Sequence, residues 1–357
     1  MTRPRAVLVC GQVPAPEAAQ AGHKTAFKYL TDLSKTHTVD LLIACKASDV
    51  PDASSAVVGD LRRHARTLQF VPISATARLF GILNGLWRGI APRFAPRLSG
   101  RLLRAFNGLF LEPTPEIVWL EFSQCFWLVE HVSAGIRTVL SAHDIQTQVV
   151  SSKSSLEAVS LLGTTFRCEK RFLDRADTVR VQSTKDASLL ESFFRLPAAK
   201  IEVARPALSS FLETLQRSAD KVEAHSILFW GAMGRPENAD AAVDFAKRDF
   251  ATLLSKYPQA KLYIVGSNPT AEVRALAGPS VTVTGFLDDP SSYFERCSLG
   301  IAPLLSGAGI KVKVLEMLQA GMPVISTPVG AEGVQGHELL TVADRPGFAE
   351  AICEAWR

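Results

Sequence analysis

The sequence predicts an α/β protein built from two doubly wound units in series, and three observations carry that expectation. Short β-rich apolar runs alternate with longer helical patterns along the whole chain. The alternation starts afresh near residue 226. The chain has 357 residues, 47% hydrophobic and 21% charged, a globular composition of a length suited to two domains. Strands that alternate with helical crossovers form a parallel sheet covered on both faces.

In the first half, strand-like runs fall at 6–10, 39–44, 68–73, 117–120, 137–141 and 178–182, with helical stretches such as 24–35, 124–133 and 155–175 between them. In the second half, "SILFWGAM" (226–233), "KLYIVG" (261–266), "VTVTGF" (281–286), "LGIAPL" (299–304) and "PVISTP" (323–328) are five more. The expected boundaries are a first domain over 1–204, a linker over 205–224 and a second domain over 225–357. Ligands of such sheets bind beyond the carboxyl ends of the strands, so the expected site is a central cleft that the two domains face.

Composition excludes several classes. No apolar run reaches the roughly 18 residues of a membrane-spanning helix. The N-terminus, "MTRPRAVLVCGQVP", is basic and then apolar, but Gly11 and Pro14 end the run too early for a signal peptide, so it reads as a first buried strand. The six cysteines form no CxxC pair and no cluster with histidine, which points to a reduced, cytoplasmic chain without structural zinc. Net charge is +4, yet nine arginines and no acid lie between Leu61 and Leu111, while the remainder carries 30 basic against 35 acidic side chains. The positive charge is local.

The stretch "SGAGIKVKVLEMLQAGMPVISTPVGAEGV" (306–334) raises the functional question. Lys311 and Lys313 sit where a helix begins, the end at which the macrodipole disfavours cations. Their alternation with valine also fits a strand, but continuation into "LEMLQAG", with Gly321 as a stop, favours a helix. Gly307 and Gly309 let the loop bring backbone N–H groups close to a ligand. Amides, helix terminus and two lysines together make an anion site suited to a diphosphate. The alternative is that both lysines point into water. Glu316 follows Lys313 by one turn and could equally be a surface ion pair.

This stretch resembles the donor-binding domain of retaining GT-B glycosyltransferases of glycosyltransferase family 4. Across 226–345, "FWGAMGRPENADAAVDF", "KLYIVGSNP" and "VTVTGFLDDPSSYFERCSLGIAPL" precede it in family order. Weaker likeness runs through "QAGHKTAFKYLTDL", "VLSAHDIQTQVV" and "EKRFLDRADTVRVQSTKDASLL" in the first half. The resemblance implies a GT-B fold, an acceptor-binding first domain and a second that binds a nucleotide sugar. It implies that the loop amides contact donor sugar and diphosphate, that Glu316 bonds the ribose, and that Lys311 and Lys313 replace a metal in neutralising the leaving diphosphate. No metal and no cofactor are expected.

Four departures stand out. Many members carry a glutamate where this chain has Ala308, although "GAGIKVK" resembles an exopolysaccharide-linked subset. After the first strand of the second domain, where members place an arginine and a lysine, only Arg235 is near Gly231, and an ordinary turn arginine is the alternative. The junction reads "VARPAL" (203–208) rather than asparagine-glycine, and the chain stops at Arg357 where relatives continue with helices, so truncation or a short return helix is expected.

In the first half, Gly22-His23-Lys24 opens a helix in a region that the resemblance places toward donor phosphate and acceptor. A solvated His23 is the alternative. His143-Asp144 follows a predicted strand at its carboxyl end, and the resemblance gives the histidine an orienting or acid/base role against the donor sugar. "PRLSGRLLRAFNGLF" (96–110), with Pro96 at the first helical position, reads as a basic amphipathic helix. Arg97, Arg101 and Arg104 lie on one face and Leu102, Phe106 and Leu109 on another. With Phe80, Trp87 and Phe94 as anchors, peripheral contact with an anionic membrane through 76–110 is the expectation; plain packing on the sheet is the alternative. No nucleic-acid motif accompanies the charge.

Together these readings predict a bacterial glycosyltransferase at the inner face of the cell membrane. It would move a sugar from a nucleotide-diphosphate donor to a glycan or lipid-linked acceptor in polysaccharide or glycolipid synthesis. The alternatives are a sugar-nucleotide epimerase of the same fold and a non-catalytic nucleotide- or glycan-binding partner of a synthesis complex.

Overall fold

The structure, a computed structural model, describes residues 3–18, 20–110, 114–152, 155–334 and 336–357. The chain divides into two compact units, one comprising residues up to Ala18 and Gly22–Ala207, the other Leu208–Arg357 with residues 20–21.

The first unit is a seven-stranded parallel sheet. Its strands are β1 (Arg5–Cys10), β2 (Thr38–Ile43), β3 (Thr67–Phe70), β4 (Ile117–Glu121), β5 (Arg137–Ala142), β6 (Thr178–Val181) and β7 (Ile201–Val203), in the order β3-β2-β1-β4-β5-β6-β7. Strands β1 and β4 are buried on both faces and therefore read as continuous apolar runs rather than alternating ones. Arg5 and Asp40 interrupt this pattern, but they pair with each other, and Asp40 also accepts from Arg66 and Thr67. Burial alone would raise the Asp40 pKa; these donors hold it below its ordinary value.

The second unit repeats the plan with β8 (Glu223–Trp230), β9 (Lys261–Val265), β10 (Val281–Val283), β11 (Cys297–Ala302), β12 (Val324–Ser326) and β13 (Leu340–Val342), in the order β10-β9-β8-β11-β12-β13. All pairings in both sheets are parallel, which is the two-unit Rossmann-like architecture of the GT-B class. The strand order reverses between β1 and β4 in one unit and between β8 and β11 in the other. Those two points are where such sheets bind ligands. Residues 205–224, read as a linker, carry two short 3-10 turns, and Arg217 donates to the carbonyls of Phe294, Cys297 and Ser298. All six cysteines are buried and unpaired, and among the described residues no helix is long and apolar enough to cross a membrane.

The arginine-rich segment departs from expectation. Its second helix is Gly100–Gly108, capped by Ser99 Oγ, which accepts from Leu102 N at 3.1 Å, so Pro96 lies outside it. Leu102 and Phe106 are buried in the sheet's core, as is Phe94. Arg97 is not a surface cation: it is 6% exposed, and its Nε and Nη2 donate to the Gly11 carbonyl at 3.2 Å. The membrane role assigned to Arg97 is therefore withdrawn. Arg101, Arg104 and Trp87 remain exposed.

The preceding helix, Ala75–Trp87, packs through glycine. A Cβ on Gly81 would lie 2.7 Å from the Leu98 carbonyl oxygen and 2.8 Å from that of Ala95. Backbone cannot yield as a flexible side chain would, so Gly81→Ala should cost about 1–3 kcal/mol of folding free energy. Denaturant melts of the variant check this; an unchanged midpoint would mean that the helix does not sit so close.

Candidate functional site

In the second unit, the loops after β8 and β11 meet at the strand-order reversal. Chain direction puts Gly231 at the end of β8 and the 305–311 loop beyond β11. Gly307 (φ +124°) and Gly309 (φ +73°) hold backbone conformations that side-chain-bearing residues resist, so both are needed to shape this loop. Half-buried Ala308 lies between them. The helix that follows, Val312–Gln319, has Lys311 at its N-cap and Lys313 in its first turn.

Neither lysine points into water. Lys311 is buried, and its Nζ donates to the Gly309 carbonyl at 2.6 Å and pairs with Glu332 at 3.3 Å. Its charge is balanced within the fold, and it fixes the glycine loop. The Lys313 Nζ reaches back along the helix toward β8, donates to Asn238 Oδ1 and sits 5.4 Å from the Phe229 ring centroid. A Cβ on Gly231 would come within 3.2 Å of that ammonium, so the glycine leaves room for it. Burial, then repulsion from Arg235 with a smaller contribution from Lys311, lowers the Lys313 pKa to about 7, although Glu237 opposes the shift. Lys313 is thus held by an amide oxygen and an aromatic ring, with Arg235 as a second cation nearby.

Arg235 caps the helix Pro236–Phe245, is largely exposed, and pairs with Glu237 two residues on. Glu316 is buried rather than a surface partner of Lys313. It accepts from Ser209 N at 3.0 Å and Oγ at 2.5 Å, and from Trp230 Nε1 at 2.6 Å. The rings of Phe211, Trp230 and Phe294 pack edge to face beside it.

In the first unit, a second group of residues gathers beyond β4 and β5. His143 Nε2 pairs with Glu121 Oε1, its Nδ1 lies 2.8 Å from Gln182 Nε2, and its ring stacks on Phe122 at 4.4 Å. With the Gln182 amide donating, Nδ1 is the acceptor and Nε2–H donates to Glu121. Both nitrogens thus have partners within the fold. The fully buried Glu121 also accepts from Trp119 Nε1 at 2.9 Å. Phe122 has φ +72°, an unfavourable conformation for a bulky residue and hence local strain at this site.

Gly22 packs against the same group: its Cβ would meet the Phe122 ring at 3.2 Å and His143 Nδ1 at 3.5 Å. His23 donates from Nδ1 to the Val13 carbonyl at 2.6 Å, and burial lowers its pKa, so it is neutral rather than solvated and charged. Lys24 is half-buried on the same helix, Ala21–Thr36. Asp144 does not serve as the carboxylate of His143; Glu121 does, while Asp144 helps balance the charge of Arg93. Next to it, Glu169 accepts from Gln146 N, Thr147 N and Thr147 Oγ1 and so fixes the turn after His143.

The residues missed in the sequence are Asn238, Glu332, Trp230 and Ser209 in one unit and Glu121, Phe122 and Gln182 in the other. Only Glu121 left a signal, as the charged last residue of the apolar strand "IVWLE". Among the described residues, no group of three or more His, Cys, Asp or Glu side chains could hold a metal ion.

Residues 224–357 match the family model described as "Glycosyl transferases group 1". A curated relative, an uncharacterized 44.6 kDa protein in the cps region of Klebsiella pneumoniae, is 27% identical over 147 residues, which are 37% of this chain. The chain spans 38% of that relative's length. Among solved structures, sucrose-phosphate synthase from Thermosynechococcus elongatus aligns with a TM-score of 0.67 at 16% identity, over 98% of this chain and 88% of that one. HepE of Anabaena, solved with UDP and glucose, aligns with a TM-score of 0.63 at 15% identity, over 98% and 89%. At such identities the likeness carries the fold, GT-B.

Proposed function

We propose, from the group 1 match of the second unit and the GT-B fold, that this chain is a retaining glycosyltransferase that takes its sugar from a nucleotide-diphosphate donor. The observation that carries the reading is Lys313, half-buried in the first turn of its helix, whose ammonium packs against Gly231, Asn238 and Phe229 beside β8 and has a depressed pKa. A diphosphate there would restore the full lysine charge and meet the first N–H groups of the helix. As the bond to the sugar breaks, charge grows on the departing phosphate oxygen, and this fixed cation stabilises it. Solved HepE with UDP supports the choice of ligand class.

The two lysines have different tasks in this account. Lys313 faces the diphosphate, whereas Lys311, bonded to Gly309 and Glu332, shapes the loop. Glu316 would bond the ribose only by sharing its carboxylate with Ser209 and Trp230. In the first unit, Gly22, His23 and Lys24 are assigned to the acceptor or phosphate side and His143 to the donor sugar, with His143 acting through the groups it orders. The acceptor is proposed to be a glycan or a lipid-linked sugar; the relative from a cps region favours polysaccharide assembly.

With lysine supplying the charge, transfer should proceed without a divalent metal. Turnover of a nucleotide sugar should survive excess chelator with less than about a twofold change. A loss restored by manganese or magnesium would contradict this.

A further inference from the structure

The Ala75–Trp87 helix is turned inside out relative to an ordinary surface helix. Its small residues face the protein: Gly81 and Gly85 are buried, and a Cβ on Gly85 would lie 2.7 Å from that of Ala95. Its large residues face solvent. Trp87 is 93% exposed and Phe80 71%, and Leu79, Leu83 and Leu86 are all exposed. At 100° per residue these five fall within an arc of roughly 120°, opposite the glycines. Burial in the core would ordinarily place that arc inward, so the helix presents a continuous apolar ridge. Single exposed leucines need no explanation, but a ridge of five does.

The stretch of chain that carries the ridge holds charge of one sign. Arg78 lies within the helix and Arg88 caps it, both exposed. Arg101 and Arg104 are exposed on the helix Gly100–Gly108, which starts two residues after the Leu98 carbonyl that touches Gly81. No acidic residue occurs between Leu61 and Leu111. A second copy of this chain would bring the same arginines to the ridge and no carboxylate from this stretch. A surface of lipid phosphates brings the complementary charge, together with acyl chains for the ridge.

We propose that the Ala75–Trp87 helix docks this protein on an anionic bilayer. Phe80, Leu83 and Trp87 enter the headgroup–acyl boundary, while Arg88, Arg101 and Arg104 meet lipid phosphates. Of the anchors expected from sequence, Phe80 and Trp87 stand on this helix, whereas Phe94 and the apolar face of Gly100–Gly108 are buried. It stands on this surface alone and does not depend on the glycosyl-transfer reading.

Co-sedimentation tests it with vesicles of phosphatidylglycerol and phosphatidylcholine, and of phosphatidylcholine alone, at about 0.1 M and about 1 M salt. The parent should bind the anionic vesicles at low salt and the neutral ones at least about tenfold more weakly. The pair Phe80→Ser/Trp87→Ser should lose at least about tenfold in affinity with an unchanged melting temperature, since both side chains lie in solvent. Arg101→Glu/Arg104→Glu should lose affinity mainly at low salt. Brominated lipid should quench parent fluorescence, and Trp87→Phe should still bind while losing that quench. UDP affinity, measured in each variant, should stay constant and keeps this outcome separate from that of the donor site. The proposal is overturned if the parent ignores anionic vesicles, or if the serine pair binds them as the parent does. A parent dimer that the serine pair dissociates, without vesicle binding by the parent, would identify a second copy as the occupant instead.

Discussion

Lys313→Met should make the ligand-free protein more stable while weakening its affinity for nucleoside diphosphate about 10- to 100-fold. A half-buried lysine whose pKa falls from 10.5 to about 7 costs folding free energy wherever the unfolded chain is protonated and the native site resists the proton. Methionine fills similar volume without that cost. The expected gain near neutral pH is about 2–4 kcal/mol, less than the full shift implies, because the Asn238 bond is lost as well. The pH dependence follows in sign. Between about 7 and 10.5 the native state binds fewer protons than the unfolded state, so this lysine makes stability rise with pH across that window. The slope should flatten in Lys313→Met. Urea midpoints at three pH values check both claims; a destabilised variant would show that the lysine is satisfied within the fold.

Glu121→Ala should be among the most damaging single changes in the first unit. The carboxylate is fully buried and accepts from both Trp119 Nε1 and His143 Nε2. Alanine strands two buried donors and releases the imidazole from Phe122 and Gln182. The expected loss is roughly 3–5 kcal/mol. Glu121→Gln keeps one acceptor oxygen and should lose much less. If both variants melt like the parent, Glu121 does not hold His143, and the histidine is free for another role.

The fold was legible because parallel sheets buried on both faces produce apolar runs that stand out in sequence, as in "RAVLVC" and "IVWLE". The two strands missed, Ile201–Val203 and Leu340–Val342, are three-residue edge strands, mostly exposed, and carry no such run. In the second unit the glycine loop and its lysines form one local motif, so sequence found them. Asn238, 75 positions from Lys313, decides that lysine's chemistry and left no local trace. His143 and Asp144 are adjacent in sequence, but successive residues at a strand end diverge, and the carboxylate that pairs with His143 arrives from the neighbouring strand. The arginine-rich pattern of 96–110 reads as a helix on a membrane surface, whereas the general rule is that large apolar residues face inward. Gly100–Gly108 obeys that rule and Ala75–Trp87 breaks it, because only glycine allows the close backbone approach seen at Gly81.

The central claim is that Lys313 is a cation completed by a diphosphate. Calorimetric titration with UDP at about pH 8, in two buffers of different ionisation enthalpy and with chelator present, tests it most directly. At that pH the free lysine is mostly neutral, so binding should draw in close to one proton per UDP. In Lys313→Met the proton uptake should vanish and affinity should fall about 10- to 100-fold, the loss expected of a charge-assisted bond. Equal affinity in parent and variant, or binding without proton uptake in the parent, would contradict the account.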